Sequence, residues 1–327
     1  MRNALIRLIA GAAAVMAVAA SAQGQEWTPA RNVEIIVPFA AGGGNDIPAR
    51  IMQKILTEKR LVGTSVSVLN KPGGGGTLGL IYLNEHAGDG HYLSLISTST
   101  LTSHIIGASK INYADVTPII PLITEYIGFA VNAASPFKTF GDVVDAMKKD
   151  PASLSFAIGG GRGNPNHAAI AAALKAAGAD VRKMKAVAFG GGKEALIAVM
   201  GGHVDVLAAA GSVLAPQAKA GKLRIVAVAA PARLERDLAT VPTLKEQGLE
   251  GVFAFSRYIV GPKDLGAPQA AYWEKAFGAA VKTDEWKAEA AKRNWDIPAM
   301  NASDTSTDLK KQYEDLRAVL SDLGMAK

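Results

Sequence analysis

The 327-residue chain has no cysteine. That excludes disulfides, a thiol nucleophile, thiolate metal sites and a lipid tether attached through cysteine. Aromatic residues make up only 6% of the chain. The basic residues are dispersed, so no basic stripe with interleaved aromatics points to nucleic acid. His86, His91, His104, His167 and His203 lack the spacing of zinc ligands, and no metal is expected. No G-x-S-x-G elbow presents a serine nucleophile. After the first 22 residues, no run is long and apolar enough to span a bilayer.

The N-terminus has the three-part layout of a secretory leader. Arg2 and Arg7 precede an apolar run from Leu8 to Ala20, and Ala20-Ser21-Ala22 offers a small-residue cleavage site. Residues 1–22 are therefore expected to be a signal peptide cut near Ala22. A retained anchor is the alternative, but the run is shorter than the ~20 residues that span a bilayer. The formal charge of +6 becomes about +4 without the two leader arginines, compatible with an anionic ligand.

The remaining chain alternates apolar strand-like runs, glycine-rich loops and helical segments, as in parallel α/β architecture. The spacing predicts strands at 33–39, 65–69, 92–96, 128–132, 154–158, 185–189, 204–209 and 223–229, and a mostly helical tail over 268–323. Four loops stand out: Ala41-Gly42-Gly43-Gly44-Asn45-Asp46, Pro72-Gly73-Gly74-Gly75-Gly76-Thr77, Gly159-Gly160-Gly161-Arg162-Gly163-Asn164 and Gly190-Gly191-Gly192-Lys193. Each follows a strand and opens a helix. Glycine lets the backbone approach a ligand, and a helix start offers unpaired N–H groups and a positive dipole end. Two α/β units carrying such loops at strand ends can face each other across a cleft.

Nucleotide readings fail on detail. Gly74-Gly75-Gly76-Thr77-Leu78-Gly79 fits G-x-G-x-x-G, but no acidic residue closes the next strand at Leu95–Thr100. Gly192-Lys193 continues with Glu194 rather than Ser or Thr, so it is no P-loop. His167 is either a base or a residue packing under its loop. Asp46 is either a base or a helix-start residue. Arg162 and Arg257 are candidate carboxylate partners, or else surface arginines.

These stretches resemble the Bug/TctC family, the extracytoplasmic solute receptors of tripartite tricarboxylate transporters. The resemblance rests on IIVPFAAGGGNDIPAR (35–50), LNKPGGGGTLG (69–79), AGDGHYL (87–93), SFAIGGGRGNPNHAAI (155–170), AVAFGGGKEALIAVMGGHVDV (186–206), AGKLRIVAVAAPAR (220–233) and VPTLKEQG (241–248), in the family's order. It implies a two-lobed, Venus-flytrap periplasmic binding protein of type II with two hinge crossings. Lobe one is expected over 26–127 plus 251–327 and lobe two over 128–250. It also implies a monomeric, non-enzymatic receptor without cofactor. Such a receptor carries a di- or tricarboxylate, amino acid or aromatic acid to a TctA/TctB-type permease. An exported hydrolase or a receptor presenting its ligand to a sensor are the alternatives.

Carried over residue by residue, Gly42, Gly43, Asp46, Gly75, Gly76 and Thr77 should hold one carboxylate, with Thr98 and Ser99 on the same floor. Gly161, Gly163, Asn164, Phe189, Gly190 and Gly191 should close from the second lobe. The chain departs from the family in three places. Asn164 stands where serine is usual, Phe189 where tyrosine is common, and Phe253 to Tyr258 lacks the usual tryptophan. Arg257, in that last stretch, is expected to add a second carboxylate contact and so favour a di- or tricarboxylate.

Overall fold

The structure, a computed structural model, describes residues 26–327. The leader expected over 1–22 lies outside the described residues. Among these, no helix is long and apolar enough to cross a membrane.

The first half opens with β1 (Val33–Val37), α1 (Asp46–Glu58), β2 (Val66–Asn70), α2 (Thr77–Asn84), β3 (Tyr92–Ser97) and α3 (Thr98–Ile105). Ile35, Ile36 and Val37 are all buried, so β1 is covered on both faces, as a parallel strand flanked by helices requires. In α1 the buried residues Ala49, Met52, Ile55 and Leu56 recur at helical spacing and pack on the sheet. β1 pairs in parallel with β2 and β3.

The 16-residue strand β4 (Thr117–Asn132) is the spine of the molecule. Up to Tyr126 it pairs antiparallel with β9 (Ala254–Gly261). From Ile127 it pairs antiparallel with β7 (Val206–Ala210), and from Gly128 also with β8 (Leu223–Val228). Between these strands lie α4 (Phe140–Lys149), β5 (Ser155–Gly159), α5 (Pro165–Ala176), β6 (Lys185–Phe189), α6 (Gly192–Met200) and α7 (Gly211–Lys219). The sheet order is β2-β1-β3-β9-β4-β7-β5-β6, with β8 also on β4. The chain passes into the second half within β4 and returns where Phe253 donates to the Ala229 carbonyl. Separate apolar cores fill the two halves. This is the two-lobed α/β architecture of periplasmic binding proteins.

The sheet is mixed rather than parallel, because β4 and β9 run against their neighbours. Most of β4, residues 117–127, was not legible in the sequence. Pro118 and Pro121 interrupt its apolar run, and both sit beside register shifts, where a strand tolerates proline. The polar run Thr98–Ser99–Thr100 is the start of a helix. Ser97 and Thr100 close a capping box that offsets the weak helix propensity of Ser and Thr.

The tail forms α8 (Ala267–Ala280), α9 (Asp284–Arg293) and α10 (Ala302–Asp322). α10 reaches across both halves. Leu309, Leu316 and Leu320 pack in a cluster with Leu101 of α3 and Ala168 of α5, and Asp322 pairs with Lys175 of α5.

Candidate functional site

Between the halves lies a cleft of ≈ 560 Å³. Its walls are the segments that join strand ends to helix starts. Gly44 and Asn45 precede α1, Gly75 precedes α2, and Ser99 lies in the first turn of α3. Opposite them, Gly159, Gly160 and Asn164 precede α5, and Gly192 opens α6. Helices α1, α2 and α6 start without a side-chain cap; at α1 the Gly43 carbonyl takes the Asp46 and Ile47 N–H groups, and at α2 the Gly73 carbonyl takes that of Leu78. Several positive dipole ends from facing halves thus point into one space. Among the described residues, the charged side chains on its lining are Arg162 and Arg257, with no Asp or Glu there. Among the described residues, no group of three or more His, Cys, Asp or Glu could hold a metal.

The loops are held from behind. Asp46 is 2% exposed. Its Oδ2 accepts from the Gly42 N–H and from Arg50 Nε, each at 2.8 Å, and its Oδ1 accepts from Asn70 Nδ2 at 2.8 Å. Burial alone would raise this carboxyl, but these three donors outweigh it and hold it below its ordinary range. Asp46 therefore braces the loop and does not reach the cleft. The glycine run before α2 has Gly74, Gly75 and Gly76 at φ of +56°, +64° and +100°. A β-carbon at Gly75 would stand 2.6 Å from Ser103 Oγ, so the loop lies flat on α3.

In the second half, Asn164 caps α5. Its Oδ1 accepts from the His167 N–H at 2.9 Å and its Nδ2 donates to the Gly159 carbonyl at 2.5 Å. His167 is 4% exposed, and its Nδ1 accepts from the Gly163 N–H at 3.0 Å. The proton of the neutral ring is therefore on Nε2. Burial first, and the nearby Arg162 charge second, push its pKa down to about 4. Sequence left His167 open between base and packing residue, and this geometry makes it the brace of its loop. A stability consequence follows. The unfolded chain, with its ordinary value of 6.5, takes up the proton first. Stability is then full above that value and falls as pH drops from about 6.5 toward about 4, by roughly 2 kcal/mol between pH 7 and 5. Urea unfolding at the two pH values should show this loss in the wild type and a smaller one in His167→Asn, which keeps an acceptor for Gly163. Equal losses would remove His167 as the cause.

Of the residues expected from sequence, Gly75, Ser99, Asn164 and Arg257 line the cleft. Gly42, Gly43, Gly76, Thr77, Thr98, Gly161, Gly163, Phe189, Gly190 and Gly191 lie beside or behind it. Gly42 and Gly43 shape the turn, and the Gly43 carbonyl accepts from Asp46 and Ile47. Gly76 packs near Pro38 and Phe39, and Thr77 Oγ1 donates to the Gly74 carbonyl. Thr98 is buried and turned into the sheet, where Oγ1 accepts from the Ser256 N–H at 3.0 Å. Gly161, at φ +97°, has open space around it, and Gly163 packs under Ile106 and Met325. The Phe189 carbonyl accepts from Gly160, the Gly190 N–H is taken by Glu194, and Gly191 precedes α6.

Sequence reasoning missed Asn45, Phe255 and Gly192, and weighed Arg162 without selecting it. Asn45 immediately precedes α1 and Gly192 opens α6, so both sit where a loop turns into a helix at the cleft wall; Arg162 is the arginine inside a glycine loop. Arg257, 3% exposed, is no surface arginine. Its Nη1 donates to Glu125 Oε2 at 2.6 Å and its Nε to Asn45 Oδ1 at 3.2 Å. Glu125 also accepts from the Ser212 hydroxyl at the start of α7.

With this geometry established, similarities to known proteins can be placed. The model of the family described as "Tripartite tricarboxylate transporter family receptor" matches residues 49–325. The chain is 28% identical over 325 residues to the "UPF0065 protein in gbd 5'region" of Cupriavidus necator, covering 98% of this chain and 96% of that one. A TctC solute-binding protein from Polaromonas has the same fold, with a TM-score of 0.77 and 23% identity over 90% of this chain and 99% of that one. "R. palustris Rpa4515 with adipate" also superposes with a TM-score of 0.77, at 19% identity over 91% and 99% of the two chains. The glycine loops at the strand ends, the mixed sheet crossed twice by the chain and the family match over 49–325 agree: this chain belongs to the tripartite tricarboxylate transporter receptor family.

Proposed function

We propose that this protein is an extracytoplasmic receptor that captures a small carboxylate in the cleft between its lobes and delivers it to a TctA/TctB-type membrane permease. The observation that carries this reading is the convergence of helix N-termini from both halves on a cleft lined by two arginines and no acid. Such a wall favours an anion and disfavours a cation. Capture of this kind uses hydrogen bonds and dipoles alone, with no covalent step, metal or cofactor.

The first lobe, 26–127 with 251–327, supplies Gly44, Asn45, Gly75 and Ser99. The second, 128–250, supplies Gly159, Gly160, Arg162, Asn164 and Gly192. β4 and the return at 253–254 act as the hinge about which the lobes close on the ligand. The receptor acts as a monomer in the periplasm once the leader is removed near Ala22. The adipate bound by the Rhodopseudomonas palustris protein is a carboxylate of suitable kind.

A ligand that binds only the folded state raises its stability by about 2.7 kcal/mol at 100 times Kd. A thermal-shift series with citrate, succinate, adipate, aspartate and terephthalate should therefore raise Tm for at least one acid. If no acid in a broad panel moves the transition, this function is wrong.

A further inference from the structure

We propose that Arg257 selects the ligand: its free Nη2 takes a second anionic group, so the captured solute is a diacid without an ammonium group. This rests on the carboxylate-receptor reading above and names the substrate class of the same cleft.

Two of the three guanidinium nitrogens and one of its faces are accounted for. Nε is held by Asn45 and Nη1 by Glu125. One face lies over the Phe255 ring, with Cζ 4.7 Å from its centroid. Nη2 finds no hydrogen-bond acceptor among the described residues, although the residue is 97% buried and lines the cleft. Nη2 is not sealed from the water of the cleft, so an incoming carboxylate oxygen exchanges a water contact for a charge-assisted bond. Gly44 makes room for this. A β-carbon there would stand 3.0 Å from Nη2. Gly44 has no positive φ, so its requirement is space around the guanidinium rather than backbone conformation.

The charges favour an anion. Glu125 already neutralises Arg257 from below and is itself tied to Ser212. Arg162, exposed on the opposite wall with Nη2 on the Ala186 carbonyl at 2.8 Å, leaves a net positive charge. Several helix N-termini add to it. One carboxylate can lie at the helix starts and the other at Arg257. A ligand ammonium would find no carboxylate here, only hydroxyls and the Asn166 amide. No Asp or Glu lines the cleft. The amide oxygens of Asn45 and Asn164 are already engaged, by Arg257 and by the His167 N–H.

The test is isothermal titration calorimetry on the mature chain with succinate, glutarate and adipate. Their monoamides, aspartate and glutamate run beside them. The best diacid should bind at least about tenfold tighter than its monoamide and than the amino diacids, the size of one charge-assisted contact. In Arg257→Gln the diacid-to-monoamide ratio should fall to about two. Because that change leaves Glu125 without its partner, Arg257→Gln with Glu125→Gln is measured in parallel. Gly44→Ala, which crowds Nη2 while the ion pair stays, should also lower the ratio. A wild-type ratio near one, equal binding of aspartate or glutamate, or a ratio that survives both Arg257 variants overturns the proposal while a bound monoacid preserves the receptor function. If no acid binds at all, receptor and selectivity fall together.

Discussion

Glu125→Ala is expected to lower the free energy of unfolding by about 3–5 kcal/mol, because it leaves a buried guanidinium without its counter-ion. Glu125 and Arg257 are 2% and 3% exposed, and Nη1–Oε2 is 2.6 Å. Water does not replace the lost carboxylate there as it would at the surface. In each of the other ion pairs among the described residues at least one partner is far more open. Lys54–Glu58 and Lys311–Asp315, for example, have side chains more than half exposed, and such pairs contribute about 0–1 kcal/mol. The same physics predicts the opposite result for a paired replacement. Glu125→Leu with Arg257→Met removes both charges and should cost far less than either single change. Urea unfolding of the wild type, both single variants and the double closes the cycle. A single-variant cost below about 1 kcal/mol would mean that water reaches the pair, and its hold on the cleft floor would then be weak.

Nothing local in the sequence announces this pair. The two residues lie 132 positions apart, on strands whose patterns were obscure. In β4 the prolines broke the apolar run, and in β9 Ser256 and Arg257 lie buried among apolar residues. What was legible was short-range: a strand, a glycine loop, a helix start, repeated. That repetition sufficed to place the cleft at the strand ends. It did not settle which glycine of a run lines the cleft. Gly42, Gly43 and Gly44 have one chemistry, and only the helical register and the bulk of Arg257 set Gly44 against the cleft. Asp46 was likewise visible as a helix-start residue, but its partners Arg50 and Asn70 hold it behind the loop, off the cleft lining. The reach of α10 onto both halves was hidden for the same reason. Its apolar face predicts burial and is silent on which elements cover it.

Gly159→Ala should combine a loss of about 3 kcal/mol in stability with a loss of at least roughly 100-fold in affinity for whatever acid binds. Gly159 ends β5 with an ordinary backbone conformation, so alanine is not excluded by φ. The obstacle is contact. A β-carbon would lie 2.5 Å from Gly192 Cα, 2.7 Å from its N and 2.9 Å from the Gly191 carbonyl carbon. All three are backbone atoms, so no rotamer relieves the clash and one of the two loops must move. Movement of β5 strains its register with Phe189 and the bonds from Gly160 to Phe189 and from Asn164 to Gly159. Movement of α6 takes its uncapped N-terminus out of the cleft. Either way the second wall loses the alignment of its two helix starts, on which the proposed capture of an anion depends. Gly192→Ala is the control for stability. Its own β-carbon would meet nothing within 4 Å, so unfolding should stay within about 0.5–1 kcal/mol of the wild type. Urea unfolding and calorimetry separate the two effects. A Gly159→Ala protein as stable as Gly192→Ala and still binding would mean that the loops have slack. The cleft wall would then owe its shape to something other than their contact.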